Sequence, residues 1–209
     1  GAAADEVRAA HPEVVAGPGR VQAWVVGSGG GDDAAEAVRE AAADGVPLVL
    51  DADALAHLDE VVSTGSTTRE RSTGSIGRNL LTPHAGELAR MLDVEREEVE
   101  ADQLAFARRA ADETGAVVLL KGRHTLVAAP DGRVRVNTVA PAWLATAGAG
   151  DVLAGLCGSL MAAGLGAFDA GSVGAWLHGA AAAHAGRGGP VTAGDVAAAL
   201  PTVCRALLA

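Results

Sequence analysis

Short apolar runs alternate along the first half of the chain with stretches whose apolar residues recur at helical spacing. The apolar runs lie at residues 21–26, 46–50 and 79–82, and each is followed by polar or glycine-rich residues. Helical patterns at 33–43 and 54–62 separate these runs. Strands that alternate with helices are typical of a parallel α/β sheet. We therefore predict a sheet that begins with parallel strands.

The second half of the chain contains both strand-like and helical patterns. We predict helices at 86–92 and 95–114, strands at 116–120, 125–129 and 133–137, and helices at 151–163, 170–185 and 192–208. Pro130, Asp131 and Gly132 join the last two strands and are typical of a hairpin turn. This half therefore adds antiparallel strands and a helical C-terminal part.

The length and composition of the chain predict one layered domain. Its 209 residues suffice for a single core, and only 2% of them are aromatic, so the core consists mainly of Ala, Val and Leu. We predict a single three-layer α/β domain over residues 1–209, with a mostly parallel sheet between layers of helices. Residues 1–15 are predicted to form a short amphipathic helix, and the Ser-, Thr-, Gly- and Arg-rich segment 63–78 a flexible, exposed loop.

The charge of the chain limits the kinds of partner that we expect. There are 26 acidic and 16 basic residues, which gives a formal net charge of −10. Such a surface repels nucleic acids and anionic membranes, so we predict a small-molecule substrate. Two cysteines, Cys157 and Cys204, form no disulfide framework, and there is no signal peptide or bilayer-spanning apolar run. We therefore expect a cytoplasmic protein.

The strongest chemical pattern is the run from Thr146 to Asp151, which leads into a predicted helix. Together with the alanine before it, the run reads ATAGAGD. Main-chain N–H groups of Gly148, Ala149 and Gly150 can converge there on an anion, and the helix dipole adds partial positive charge. Asp151 at the same turn can accept the proton of an attacking hydroxyl group. The alternative is a tight turn in which Asp151 is simply the first-turn carboxylate of a helix.

Lys121 is the only lysine of the chain, and it follows a predicted strand in the run LLKGRHT. Ligands of α/β sheets bind beyond the carboxyl ends of the strands, so Lys121 or the turn after it is a candidate contact to nucleotide phosphates. The alternative is a solvated lysine at the end of a strand. There is no Walker motif around it, because the required glycine spacing is missing.

Three further runs carry candidate ligands with less specific patterns. In LTPHAGE, Glu87 either interacts favourably with a helix dipole or binds Mg²⁺ through water, and His84 is either a turn residue or a substrate contact. The glycine run 27–31 follows a strand and is a candidate ligand loop. Asp51 and Asp53 follow another strand. They are candidates either to bind Mg²⁺ or ribose or to cap the next helix.

Together, the runs GSGGG, DADAL, TPHAGE, LKGRHT and ATAGAGDVLAG resemble the NAD(P)H-hydrate dehydratases of the ribokinase-like superfamily. The likeness extends from about residue 24 to the C-terminus. It implies a ribokinase-like fold and an enzyme that uses ADP, or ATP, with Mg²⁺. The implied reaction restores NADH or NADPH from its hydrate by phosphorylation of the ring hydroxyl and loss of phosphate, pushed by the ring nitrogen.

The resemblance also implies a role for individual residues. Asp151 is the expected base, and the N–H groups of residues 148–150 hold the phosphoryl group. The expected contacts to the AMP part of the nucleotide are Lys121, Gly122, Arg123, His124, Thr125 and Gly150. Those to the hydrated cofactor are Gly29, Gly31, His84 and Asp151, and Glu87 is the expected water-mediated Mg²⁺ ligand.

The chain departs from the family pattern in ways that leave alternatives open. Ala149 stands where a Ser or Thr is usual, and Ser28 begins a loop that is more often Pro-Gly-Leu-Gly. The family's opening strand and helix are not recognisable, so we expect the chain to lack an N-terminal portion. Relatives are often tetramers, which predicts a homo-oligomer. The alternative functions are a vitamin-precursor kinase of the same superfamily and a non-catalytic nucleotide-binding domain.

Overall fold

The structure is a computed structural model that describes residues 2–15, 17, 19–64 and 77–208. A six-stranded sheet lies at its centre, and the strands are ordered as they occur in the chain. They are β1 (Trp24–Val26), β2 (Leu48–Leu50), β3 (Leu80–Leu81), β4 (Val117–Leu120), β5 (Thr125–Ala128) and β6 (Val134–Asn137). Strands β1 to β4 pair in parallel, whereas β5 pairs antiparallel with both β4 and β6. The predicted mostly parallel sheet is confirmed.

Helices connect the parallel strands and complete the C-terminal part. They are α1 (Ala2–Ala10), α2 (Ala34–Ala43), α3 (Leu58–Thr64), α4 (Ala85–Leu92), α5 (Arg96–Ala101), α6 (Gln103–Thr114), α7 (Ala149–Ala162), α8 (Ala167–Gly186) and α9 (Ala193–Leu208). Short 3-10 helices occur at Gly31–Asp33, Ala52–His57 and Ala142–Leu144. Most of the predicted loop 63–78 lies outside the described residues, at 65–76.

The buried strands have helices on both faces. In β4, Val118 and Leu120 belong to a hydrophobic cluster with α2, α4 and α6, whereas Val117 and Leu119 belong to a second cluster with α7 and α8. Since successive side chains of a strand point to opposite faces, both faces are covered. The three-layer arrangement is therefore confirmed. Helices α8 and α9 pack together through a further apolar cluster.

Several predicted elements have other bounds in the structure, among them a strand and a helix. The predicted strand 21–26 is shorter, and its pairing begins at Trp24, whose N–H donates to the carbonyl of Pro47. The predicted helix 95–114 is divided at Asp102, whose side chain accepts a hydrogen bond of 3.0 Å from Ala105 N. Aspartate is a favourable N-cap, so it starts a new helix where helical periodicity alone predicts continuity.

In the part of the chain that the structure describes, no helix combines the length and apolar character needed to cross a membrane. The amphipathic helix predicted at 1–15 is observed as α1, which ends at Ala10. Its described side chains, from Asp5 onward, are all exposed, so none of them contributes to a buried apolar face.

Candidate active site

The run from Thr146 to Asp151, called the anion turn below, forms the entrance to α7. Gly148 is the N-cap residue and has φ of +80°, a conformation that glycine adopts without steric cost. A Cβ atom at this position would lie 3.2 Å from the Cβ of Ala193 at the start of α9. Glycine therefore provides both the backbone conformation and the close approach of α9 to the turn.

The main-chain N–H groups of the anion turn divide into one engaged group and three open ones. Ala149 N donates to Thr146 O at 3.2 Å. No acceptor among the described residues pairs with the N–H of Gly148, Gly150 or Asp151. Of the three donors that the sequence suggested, Ala149 is thus satisfied internally. Unpaired N–H groups at a helix N-terminus bind anions, because the helix dipole adds partial positive charge there.

The carboxylate of Asp151 lies beside this set of donors. The residue is exposed in the first turn of α7, and one carboxylate oxygen is 3.9 Å from the point that a Cβ at Gly148 would occupy. Within the described residues, no hydrogen bond or ion pair engages this carboxylate. The carboxylate thus lies next to the open N–H groups and has no partner among the described residues.

Lys121, Asp51 and Glu87 form a second group, called the charge cluster below. Lys121 follows β4, and its Nζ donates to Asp51 Oδ1 at 2.7 Å and lies 3.7 Å from Glu87 Oε2. Asp51, which follows β2, is only 3% exposed and also accepts a 2.8 Å hydrogen bond from Thr82 Oγ1. Asp51 makes no helix-capping hydrogen bond. Asp51 therefore forms an ion pair with Lys121 and does not cap the helix that follows it.

The charge cluster lies directly against the anion turn. A Cβ at Gly150 would be 3.5 Å from Lys121 Nζ and 3.7 Å from Asp51 Oδ2. The ammonium group of Lys121 is therefore fixed beside the N–H donors by the carboxylate of Asp51. The lysine is not a solvated strand-end residue, since its side chain is only 22% exposed.

The remaining residues of the LKGRHT run form the turn between β4 and β5. Gly122, Arg123 and His124 are exposed, whereas Thr125 is the buried first residue of β5. In the described part of the chain, no ion pair or hydrogen bond involves the side chain of Arg123 or His124. This turn is open to solvent beside Lys121, so a ligand that contacts Lys121 could extend along it.

His84 and Glu87 form a reciprocal cap at the start of α4. His84 N donates to Glu87 Oε2 at 2.7 Å, and Glu87 N donates to His84 Nδ1 at 3.0 Å. Because Nδ1 accepts, a neutral His84 carries its proton on Nε2. Glu87 therefore caps α4 together with His84, and the exposed His84 ring is oriented by the helix end.

The glycine run after β1 lies over the end of β2. A side chain at Gly27, with φ of +133°, would overlap with the main-chain oxygen of Asp51. Gly31 N donates to Asp53 Oδ2 at 3.0 Å, so Asp53 anchors the loop, while Gly29 has open space beside it. Asp33 is the N-cap residue of α2, but its side chain makes no capping hydrogen bond.

Three groups outside the predicted site also affect its surroundings. Cys157 is buried, and burial raises the pKa of its thiol to about 12, which disfavours the reactive thiolate. Burial lowers the pKa of His178 to about 4, and a hydrogen-bonding contact with the main chain of Ala149 opposes this shift. The sequence did not indicate a role for His178 or Thr82. A histidine in an Ala-rich helix and a threonine directly after a short strand carry no specific signal.

The family model described as NAD(P)H-hydrate dehydratase matches residues 3–200. The chain belongs to this family. The resemblance drawn from the motifs is therefore confirmed. Both the anion turn and the charge cluster lie within the matched residues.

Relatives and a solved structure agree with the family assignment. The chain is 45% identical over 188 residues to the ADP-dependent (S)-NAD(P)H-hydrate dehydratase of Neisseria meningitidis. The matched residues make up 86% of this chain and 62% of that protein. The chain is 41% identical over 194 residues to the bifunctional NAD(P)H-hydrate repair enzyme of Mycobacterium leprae, covering 88% of this chain and 38% of that protein. The chain thus spans less than two thirds of either relative.

The fold is that of the Bacillus subtilis ADP/ATP-dependent NAD(P)H-hydrate dehydratase, which was co-crystallised with ATP/Mg²⁺ and soaked with CoA. The two structures superpose with a TM-score of 0.81 at 25% identity, over 97% of this chain and 77% of that chain. The ribokinase-like fold expected from the family is therefore confirmed.

Proposed function

We propose that the protein catalyses the ADP-dependent dehydration of (S)-NAD(P)H-hydrate to NAD(P)H. The observation that carries this proposal is a set of N–H groups at Gly148, Gly150 and Asp151 beside a carboxylate at the same turn, none of which has a partner among the described residues. Phosphoryl transfer requires this combination, because charge develops on the phosphoryl oxygens while a hydroxyl loses its proton. The names of the family and of the Neisseria relative give the substrate class.

In the proposed first step, the carboxylate of Asp151 takes the proton of the ring hydroxyl, and the hydroxyl oxygen attacks the terminal phosphoryl group of ADP. The bond to AMP breaks, and the transferred group is held by the open N–H groups of the turn. Each such donor contributes about 10² to 10³ in rate. In the second step the ring nitrogen expels phosphate, which leaves the double bond of the reduced nicotinamide after loss of a proton.

The charge cluster supports the nucleotide side of this proposal. Lys121 Nζ lies beside Gly150 and is held there by Asp51, so an ammonium group is placed next to the helix N-terminus. The exposed turn at Gly122, Arg123 and His124 continues from it toward the AMP portion, and Thr125 is proposed as its last contact. His84, Gly29 and Gly31 are proposed for the hydrated cofactor, since they lie on neighbouring loops at the same carboxyl edge of the sheet.

Mg²⁺ fits this site only together with the nucleotide. The described residues contain no group of three or more His, Cys, Asp or Glu side chains that could hold a metal. Mg²⁺ keeps much of its hydration shell and binds through few carboxylates plus phosphate oxygens. Glu87, 15% exposed beside Lys121, is the proposed contact through water. When bound there, Mg²⁺ would neutralise charge on the phosphates.

The test is recovery of the absorbance of reduced nicotinamide when the protein is incubated with hydrated NADH, ADP and Mg²⁺. We expect recovery that depends on ADP and is accompanied by release of AMP and phosphate. ATP in place of ADP tests the donor preference. Absence of recovery, together with phosphorylation of a hydroxymethylpyrimidine or thiazole alcohol, would favour the kinase alternative. Nucleotide binding without any turnover would favour the non-catalytic one.

We also propose that the protein is cytoplasmic and forms a homo-oligomer, for which a tetramer is the family expectation. Support for the oligomer comes from large apolar side chains exposed near the edge strand β6, namely Val136, Val173 and Trp176, which are 56%, 39% and 37% exposed. An edge strand with apolar neighbours is a surface that another chain can cover. Light scattering during size-exclusion chromatography tests the oligomer, and cell fractionation tests the location.

A further inference from the structure

His178 of α8 is a buried imidazole that the proposed reaction does not use. It is 5% exposed, and its Nε2 has no hydrogen-bond partner among the described residues. An unpaired polar atom in the interior lowers the stability of the folded protein. An apolar side chain of similar size would avoid this cost, so the histidine requires an explanation other than packing.

The environment of His178 points to the anion turn. Its imidazole contacts the main chain of Ala149, the first residue of α7. Ala149 is itself a member of the turn, because its N–H donates to Thr146 O and its neighbours Gly148 and Gly150 carry the open donors. The buried imidazole therefore contacts the turn through its main chain.

The same face of α8 supports the segment that leads into the turn. Asn137 Nδ2, at the end of β6, donates to Ala175 O at 2.8 Å. At Gly179 any side chain would overlap with the carbonyl of Val139, so the segment lies directly on the helix. Positions 175, 178 and 179 share one helical face. The helix thus contacts the segment at 137, at 139 and finally, through His178, at 149.

We propose that His178 is a positioning residue, which holds the first turn of α7 through the main chain of Ala149 in the geometry that receives the phosphoryl group. The inference rests on the proposed function, since it assigns a purpose to the open donors of the turn. Preorganised donors act only when they are aimed at the position where charge develops, and a small misplacement lowers the rate. His178 does not touch the substrate.

The test compares His178→Leu with His184→Leu. Leucine removes both ring nitrogens of the buried residue, and the second variant makes the same change at an exposed position of the same helix. For His178→Leu we expect kcat to fall about 10- to 100-fold with little change in KM for ADP. His184→Leu should resemble the wild type. The midpoint of urea unfolding of His178→Leu should not fall, because the unpaired atom has been removed.

Two additional measurements distinguish positioning from a structural role. His178→Asn and His178→Gln retain an amide near one or the other ring nitrogen, and we expect at least one of them to regain part of kcat. Amide hydrogen exchange at Ala149 and Val152, measured without ligand, should be faster in His178→Leu than in the wild type, with the rest of α7 unchanged.

An unchanged kcat together with unchanged exchange at these two amides would overturn the proposal. A loss of kcat that neither amide variant relieves, with exchange faster throughout the protein, would also overturn it, since the role would then be general packing. If the wild type itself shows no turnover, the proposed function fails. The exchange measurement still decides whether His178 holds the turn.

Discussion

The anion turn and the charge cluster lie side by side, but they are assembled from different parts of the chain. The turn is contiguous, and its hydrogen bonds join near neighbours, such as Ala149 N to Thr146 O. The cluster joins Asp51 to Lys121, which are 70 positions apart in sequence. A turn of this kind depends on local residue choice, whereas the cluster forms only when β2, β4 and α4 are packed together.

The two regions also differ in how their polar groups are satisfied. In the described structure, the turn leaves the N–H groups of Gly148 and Gly150 without acceptors, whereas the polar groups of the cluster bind each other. This contrast suggests that the turn is organised for a ligand and the cluster for the integrity of the site. Changes in the turn should therefore affect turnover, and changes in the cluster should affect stability.

The largest effect is expected from Asp151→Asn. Loss of the base should lower kcat by about 10² to 10⁴, while ADP still binds, because the N–H donors remain. The urea midpoint should not change, since the carboxylate is exposed and has no partner among the described residues. Kinetics of NADH recovery measure this. Asp112→Asn, at an exposed position of α6, is the control. An undiminished kcat would rule out the base.

Lys121→Met should have the next largest effect, on stability. It leaves the buried carboxylate of Asp51 unpaired, and breaking a buried pair in this way costs about 3 to 5 kcal/mol. Urea unfolding measures the change. The double variant Asp51→Asn with Lys121→Met should recover most of it, because neither charge remains. A single variant as stable as the wild type would show that the cluster is solvated, and the contrast with the turn would be lost.

Acidification should destabilise the protein through His178, beneath the turn. Burial lowers the pKa from 6.5 to about 4. Between these pH values the unfolded chain binds a proton that the folded protein does not. The contribution of neutral His178 to the free energy of unfolding is therefore complete above pH 6.5 and is lost as the pH falls toward 4. The loss is at most about 3 kcal/mol. Urea unfolding near neutral and acidic pH should show a weaker pH dependence for His178→Leu. An identical dependence would exclude a buried, neutral imidazole.

The smallest effect is expected at an ion pair that matches the cluster in distance but not in burial. Arg109 Nε lies 2.7 Å from Glu113 Oε1 on α6, with side chains 44% and 50% exposed. Such pairs contribute about 0.3 to 0.5 kcal/mol, because water screens them. A double-mutant cycle with Arg109→Ala and Glu113→Ala measures the coupling. A coupling as large as that between Lys121 and Asp51 would show that burial is not the deciding factor.

The sequence predicted the fold where pattern and local chemistry coincide. The apolar strands, the mostly parallel sheet, the hairpin and the C-terminal helices follow from periodicity and turn residues, and the structure confirms them. It missed the division at Asp102 because helical periodicity continues across a residue that caps a new helix. It overestimated the first strand because pairing with a neighbour cannot be read from one strand alone.

By itself, the sequence determined the family and the identity of the anion turn, since glycine at a positive φ and an aspartate at a helix start are local features. Only the tertiary structure decided that Asp51 binds Lys121, that Glu87 caps α4 with His84, and that His178 lies against Ala149. Ion pairs and buried contacts depend on distances in space and on the exclusion of water. Neither quantity is encoded in the spacing of residues along the chain.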